Sequence, residues 1–193
     1  MAAVEIGVLA LQGAFAAHQE VLKSIGCSSR QVREPKDLDG LRALIMPGGE
    51  STTMSKLLAT SGLFDPIAGA IKDGMAVFGT CAGMILLASA IEDGRSDQTS
   101  FGVLDITVQR NAYGRQVDSF ETDLDVVGLE EPFHAVFIRA PRVTRTGSVE
   151  VLARHDAEPV LVRQGRAWAA SFHPELQGDD RVHRLFVECV EKE

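Results

Sequence analysis

Three times before Ile91 a short apolar run ends in a glycine-containing turn and gives way to apolar residues at helical spacing. The first run is Glu5 to Leu11 (EIGVLAL), which ends at Gln12-Gly13. Phe15, Val21, Leu22 and Ile25 follow it before Gly26 closes the segment. The second is Leu41 to Met46, ending in Pro47-Gly48-Gly49, with Ser51 placed to cap a helix through Met54, Leu57 and Leu58. The third is Met75 to Phe78, after which Gly83 onward (GMILLASAI) predicts a helix stopped near Asp93-Gly94. Parallel strands need a crossover, usually a helix, whereas antiparallel strands need only a turn. The repeated strand-to-helix unit therefore predicts an α/β fold, a mostly parallel sheet with helices on both faces.

Past the polar stretch Glu92 to Ser100 the pattern changes to short β-rich segments: Val103 to Gln109, Ala135 to Ile138, Val149 to Ala153, Pro159 to Val162 and Ala167 to Phe172. The second half is expected to be β-rich. The chain closes on Asp179 to Glu193, where Val182, Leu185, Phe186, Cys189 and Val190 form one apolar helical face and place Cys189 in the core. No internal repeat or Pro/Ser-rich linker divides the 193 residues, a length that suits one domain, 1–193, with a continuous core.

Nineteen Lys and Arg against 27 Asp and Glu give a net charge of −8 with no basic run, which argues against nucleic acid and anionic membrane surfaces as partners. The start of the chain lacks a basic leader and carries Glu5 in its apolar stretch, so no export signal is read. Gly74 to Ile91 is uncharged, but its glycines, Thr80 and Ser89 make it a poor lipid-facing helix. The cysteines, Cys27, Cys81 and Cys189, are odd in number and widely spaced, which suits a reducing cytoplasm rather than a disulfide framework. HExxH, CxxC and EF-hand patterns are missing, so no metal is expected.

Gly79-Thr80-Cys81-Ala82-Gly83 lies between an apolar strand and an apolar helix, the setting of a nucleophile elbow with Cys in place of Ser. Gly79 and Gly83 would relieve crowding at such a turn, the helix start would favour a thiolate, and the Ala82 N–H could donate to an oxyanion. The same pentapeptide also reads as a small buried cysteine in a glycine turn. Of five histidines, two precede an acid by two residues. In a helix, His18 and Glu20 would point about 200° apart, so that pair is set aside. His173-Pro174-Glu175 follows the last strand, and in extended chain residues i and i+2 share a face about 6–7 Å apart. Cys81, His173 and Glu175 thus fill the nucleophile, base and orienter roles of a triad. Pro47-Gly48-Gly49-Glu50-Ser51 reads either as the other half of an oxyanion hole or as an ordinary turn; it lacks the Gly-Lys-Ser/Thr of a phosphate loop. Arg110 and Arg139 each follow a β-like run, where a guanidinium could grip a carboxylate.

The segments GVLALQGAFAAH from Gly7, MPGGESTTM from Met46, FGTCAGMILLA from Phe78, RNAYGRQVDSFE from Arg110, FIRAP from Phe137 and AASFHPEL from Ala169 resemble the class I (triad) glutamine amidotransferases. Within these, GGESTTM and RNAYGRQ are similar to the glutaminase subunits of pyridoxal 5'-phosphate synthase, over nearly the whole chain. The resemblance implies a flavodoxin-like three-layer fold and hydrolysis of L-glutamine to glutamate and ammonia through a Cys81 thioester, with His173 as base and Glu175 as its orienter. It further implies oxyanion donors at the backbone of Gly49 and Ala82, and a glutamine pocket of Gly49, Glu50, Ser51, Arg110, Ile138 and Arg139. The implied partner is a separate (β/α)8-barrel synthase subunit in a hetero-oligomer, which takes up the ammonia and activates the glutaminase. Pyridoxal phosphate would be that partner's product, not a cofactor of this chain. Gln177 departs from the pattern, which has threonine there in most relatives. The competing readings are a glutaminase of another pathway, such as histidine biosynthesis, a non-catalytic partner-binding protein, and a cysteine hydrolase of other substrates.

Overall fold

The computed structural model describes residues 4–110 and 119–192. Within them the chain runs β1 (Glu5–Leu9), α1 (Phe15–Ser24), β2 (Ser28–Val32), β3 (Ala43–Met46), α2 (Ser51–Thr60), α3 (Phe64–Lys72), β4 (Ala76–Thr80) and α4 (Ala82–Leu87). It continues through β5 (Ala88–Ile91), β6 (Leu104–Gln109), β7 (Ser119–Leu124), β8 (Phe133–Ile138), β9 (Arg142–Thr146), β10 (Glu150–His155), β11 (Glu158–Gln164), β12 (Ala167–Ala170) and α5 (Arg181–Glu191).

Seven strands form the main sheet in the order β10-β11-β12-β4-β3-β1-β2. From β12 to β2 every pair is parallel, whereas β10-β11 and β11-β12 are antiparallel. The α/β class and mostly parallel sheet are as expected. Smaller sheets, β5-β6-β9 and β7-β8, account for the β-rich second half. One apolar cluster joins α1 and α5 to one face of the main sheet through Leu22, Phe78, Trp168, Val182 and Phe186. The opposite face packs on α2, α3 and α4 through Leu44, Met54, Ile67, Met84 and Leu86. Covered on both faces, β3, β4 and β12 are buried at every residue and read as unbroken apolar runs.

Parallel pairing has a functional consequence: it brings the C-terminal ends of sequence-distant strands to one edge. The register Val8↔Ile45, Met46↔Gly79 and Ala170↔Thr80 aligns the ends of β1, β3, β4 and β12, so Gln12, Gly48, Cys81 and His173 emerge on the same side.

Several expectations are corrected. The helix from Gly83 ends at Leu87, and Ala88–Ile91 becomes β5, paired parallel with β6 and tied by the Ser89 hydroxyl donating to the Ile106 carbonyl at 2.9 Å. A continuous apolar run cannot by period alone say where a helix hands over to a strand. Strands β2, β7 and β9 and helix α3 carry polar or half-exposed residues and are elements that the sequence pattern does not announce. On α5 the buried face is Val182, His183, Phe186, Val187 and Val190, while Leu185 and Cys189 are only half-buried. The face is turned because His183 finds a buried partner on α1. Among the described residues no helix is long and apolar enough to cross a membrane.

Candidate active site

β4 passes into α4 through a single residue. Cys81 sits between them at φ 51° and ψ −107°, a conformation that side chains with a Cβ rarely adopt and that costs about 1–3 kcal/mol. It is held by hydrogen bonds on both sides: its N–H donates to the Ala170 carbonyl at 2.8 Å, and its carbonyl accepts from Met84 N–H at 3.0 Å. The flanking glycines make room. A Cβ on Gly79 would lie 2.5 Å from the Gly83 backbone, and one on Gly83 would lie 2.1 Å from the Met46 carbonyl oxygen. Cys81 is 7% exposed, and its sulfur lies 3.8 Å from the Ile138 carbonyl oxygen.

β12 ends at Ala170, two residues earlier than expected, so His173-Pro174-Glu175 occupies a turn rather than extended chain. The pairing survives by a different route. The His173 N–H donates to the Val136 carbonyl at 2.8 Å, which anchors the turn on β8, and His173 Nδ1 lies 2.8 Å from Glu175 Oε1. Burial lowers the basicity of His173. Hydrogen bonding and negative charge from Cys81 and Glu175 outweigh it and raise the imidazole to about 10, so the ring carries a proton at neutral pH. Burial likewise pushes the Glu175 carboxyl up. The His173 hydrogen bond and the nearby His18 and His173 rings overcome this and hold it below the ordinary carboxylate range. A protonated imidazole with its far nitrogen on a buried carboxylate, facing a strained cysteine, can deliver a proton to a group leaving from a carbonyl that the sulfur attacks.

Around the sulfur opens a cleft of about 330 Å³ whose lining includes Gln12, Gly48, Gly49, Glu50, Ser51, Cys81, Ala82, Arg110, Ile138, Arg139 and His173. All eight cleft positions expected from the sequence, counting the oxyanion candidate Ala82 and the nucleophile, are therefore gathered with His173; Glu175 stands behind the imidazole. Glu50 rather than Ser51 is the N-cap of α2: its carboxylate accepts from Thr52 and Thr53 N–H at 3.0 and 2.7 Å. Ser51 is the first helical residue, and its hydroxyl accepts from Gln98 Nε2 at 3.1 Å. The Arg110 side chain is 15% exposed and donates to Thr52 Oγ1 at 2.9 Å and Gln98 Oε1 at 2.6 Å. Arg139 adopts φ 44° beside the cleft. Residues 111–118 of the RNAYGRQVDSFE segment lie outside the described residues.

Gln12 and His18 escape a reading of the sequence, and Gly48 is read there only as part of the loop 47–51. Gln12 accepts from the Glu50 N–H at 2.9 Å and so pins the Gly49-Glu50 loop from β1. Gly48 lets the backbone pass close to Cys81 and His173, since a Cβ there would be 2.5 Å from His173 Cε1 and 3.3 Å from Cys81 Cβ. Its place in a strand-end Pro-Gly-Gly is visible in the sequence, its target is not. His18 is set aside on sequence because Glu20 faces away, and indeed His18 is buried and Glu20 exposed. Its carboxylate neighbour is instead Glu175, with His18 Nε2 3.5 Å from Glu175 Oε2.

The sequence profile of the SNO glutamine amidotransferase family matches residues 8–192. A pyridoxal 5'-phosphate synthase subunit PdxT from Nocardioides sp. is 58% identical over 194 residues, covering 97% of this chain and 96% of the relative. The subunit of the same name from Thermus thermophilus is 57% identical over 187 residues, covering 96% and 97%. A crystal structure of a glutamine amidotransferase superposes with a TM-score of 0.91 at 53% identity, covering 96% of this chain and 98% of that one. Another glutamine amidotransferase, from Thermotoga maritima, shares the fold at 15% identity and a TM-score of 0.63, over 100% of this chain and 92% of that one.

Proposed function

The chain belongs to the SNO glutamine amidotransferase family, and from that premise we propose that Cys81, His173 and Glu175 are its catalytic triad. The protein is the glutaminase subunit of a pyridoxal 5'-phosphate synthase, a glutamine amidotransferase working with a synthase subunit. The observation that carries the residue assignment is the strained Cys81 elbow facing an imidazole whose Nδ1 is held at 2.8 Å by a buried carboxylate.

Cys81 Sγ attacks the side-chain amide carbon of L-glutamine, and backbone N–H groups of Gly49 and Ala82 receive the charge that develops on oxygen. His173, already protonated, gives its proton to the departing nitrogen, and ammonia leaves from a glutamyl thioester. A water then loses a proton to His173 as it attacks the thioester, and glutamate is released with the sulfur restored. Glu175 keeps the ring oriented through both steps. Arg110 and Arg139 supply positive charge for the α-carboxylate of glutamine, with Glu50, Ser51 and Ile138 completing the pocket. Glu50 acts here through the backbone it holds, because its own carboxylate is engaged by α2.

The partner in this reading is a (β/α)8-barrel synthase subunit in a hetero-oligomer, which receives the ammonia and switches the glutaminase on. Residues 1–193 act as a single class I domain, a reading supported by the family match over 8–192. A reducing cytoplasm suits a chain whose three cysteines are all free and whose nucleophile is one of them. The test is glutamate release from L-glutamine by the purified chain, alone and with the barrel subunit, against Cys81→Ala. Release that rises with the barrel and vanishes in the variant is expected. Activity indifferent to the barrel overturns the proposed coupling, and activity surviving in Cys81→Ala overturns the triad.

A further inference from the structure

Two histidines that the mechanism above does not use are buried side by side directly behind Glu175. His18 on α1 and His183 on α5 are both 0% exposed, and His18 Nδ1 lies 2.9 Å from His183 Nε2. His18 Nε2 lies 3.1 Å from Thr80 Oγ1, at the end of β4 one residue before Cys81, and 3.5 Å from Glu175 Oε2. That carboxylate oxygen is buried without a hydrogen-bond partner of its own, as is His183 Nδ1. Phe78 packs edge-on against the His183 ring at 6.1 Å between centroids.

The proton positions follow from elimination. An unpaired buried N–H costs more than an unpaired ring lone pair, so the partnerless Nδ1 of His183 is the bare nitrogen and its proton is on Nε2. His183 Nε2–H then donates to His18 Nδ1, which must accept, and this puts the His18 proton on Nε2. Both rings are neutral at physiological pH. Burial lowers His18, with the His173 charge adding to it and Glu175 only partly opposing, and burial together with His18 holds His183 well below its ordinary value.

We infer that His18 is a positioning residue of the triad: its Nε2–H, fixed in that tautomer by His183, is hydrogen-bonded to Thr80 Oγ1 and lies 3.5 Å from the outer oxygen of Glu175, where its dipole keeps the carboxylate turned toward His173. The inference rests on the triad assignment and extends it by two residues, so that a line of contacts runs His183, His18, Glu175, His173, Cys81. An N–H dipole at this place favours the carboxylate anion in a setting that otherwise penalises it. The groups facing Glu175 and His18 are His173 from the turn after β12, Thr80 from the end of β4 and His183 from α5, with Cys81 on the far side of His173. Withdrawal of the donor therefore raises the pH at which Glu175 takes up a proton and ceases to support the His173 imidazolium.

The experiment measures glutamine hydrolysis by the complex with the barrel subunit, kcat and KM as functions of pH, together with the rate at which iodoacetamide alkylates Cys81 in the absence of glutamine. His18→Phe fills the volume without a donor, His18→Gln restores a donor, and His183→Phe removes the group that fixes the His18 tautomer while leaving the space beside Glu175 intact. Val190→Ala, on α5 two turns from His183, controls for loss of core packing. The expected result is a kcat lower by about tenfold or more in both phenylalanine variants, the scale on which outer-shell hydrogen bonds act on the groups they orient. KM stays within about twofold. The acid limb of kcat/KM moves to higher pH, Cys81 alkylation slows in parallel, His18→Gln recovers most of the loss and Val190→Ala is unchanged. Wild-type kcat and an unmoved acid limb in His18→Phe, or in His183→Phe should His18→Phe not fold, overturn the inference. So does an equal loss in His18→Gln and Val190→Ala, which would mark a packing role. A wild-type complex that hydrolyses no glutamine, or loses nothing in Cys81→Ala, removes the triad itself and this inference with it.

Discussion

Two strand-to-helix turns face each other across the cleft, and they treat their helix starts in opposite ways. At β3 to α2, Glu50 is extended, at φ −98° and ψ 111°, and folds its carboxylate back onto the N–H groups of Thr52 and Thr53. At β4 to α4, Cys81 is twisted to φ 51° and its side chain makes no capping hydrogen bond. The two strands are neighbours in register, Met46↔Gly79, so position in the sheet is not the cause. The cause is the residue at the turn: a carboxylate of the right reach satisfies the donors of its own helix, whereas a thiol cannot. One turn is closed on itself and serves as a wall; the other stores strain and leaves its side chain available to a substrate.

The largest predicted effect breaks the open turn. Cys81→Ala is expected to lower glutamine hydrolysis by at least about 10³-fold, as removal of a nucleophile does in triad enzymes, with the cleft otherwise intact. Cys81→Gly should be equally inactive yet more stable by on the order of 1 kcal/mol, since glycine releases the positive-φ strain and returns part of that gain as backbone entropy. Thermal denaturation of the two variants side by side checks this; a Cys81→Gly protein less stable than Cys81→Ala would show that the turn is not strained.

Next in size is a substitution in the closed turn that is felt in the open one. Gly48→Ala would place a methyl 2.5 Å from His173 Cε1 and 3.3 Å from Cys81 Cβ, so the imidazole must move. Displacement of a catalytic group by about 1 Å costs on the order of 10²-fold in rate, and kcat should fall by about that amount while the far-ultraviolet spectrum is unchanged. Near-normal kcat would mean that the loop, not His173, gives way.

This cross-talk marks the boundary of what can be read from residue order. Cys81 and the His173-Pro174-Glu175 turn carry local signatures, flanking glycines in one case and an i, i+2 acid in the other, and both are legible. The parallel fold is legible for the same reason, because apolar runs in β1, β3 and β4 alternate with helical spacing. His18 is not, since its partners Thr80, Glu175 and His183 come from three other elements and no spacing along the chain relates them. Strand β9 escapes notice because four of its five residues, RVTRT, are exposed and polar, and only pairing with β6 makes it a strand. The handover from α4 to β5 is hidden because burial on all sides erases the period that separates helix from strand.

Arg110 sharpens the comparison from the closed side. Its guanidinium donates to Thr52 and Gln98 through Nη1 and to Glu50 Oε1, 3.5 Å away, through Nη2, and the residue lines the cleft. Loss of a charge-assisted hydrogen bond to a bound carboxylate corresponds to about 1.5–3 kcal/mol, so Arg110→Ala is expected to raise the glutamine KM by roughly tenfold or more with a smaller change in kcat. Steady-state kinetics on the barrel complex decide it. A large kcat loss at constant KM would place Arg110 in the chemistry and contradict a carboxylate grip.

The smallest effect tests whether the closed turn is closed by Glu50 at all. Burial tends to raise this carboxyl, but the hydrogen bonds from Thr53 and Thr52 bring it down from the ordinary 4.5 to about 2. A folded-state value below the unfolded one stabilises the protein only where the carboxylate is ionised in both states. The contribution is therefore complete above about pH 4.5 and fades as pH falls toward 2. Because the side chain is 51% exposed, solvent screening keeps this modest, and the loss of the cap in Glu50→Ala should cost about 1 kcal/mol at neutral pH. Glu50→Gln retains one acceptor oxygen and should lose less. The decisive readout is the difference between wild type and Glu50→Ala in chemical denaturation at pH 7 and at pH 3: it should narrow as the carboxyl takes up its proton. A difference that is the same at both values would mean that the α2 turn is held by the Gln12 contact to the Glu50 N–H, and that the contrast between the two turns lies in their backbones rather than in the side chain that caps one of them.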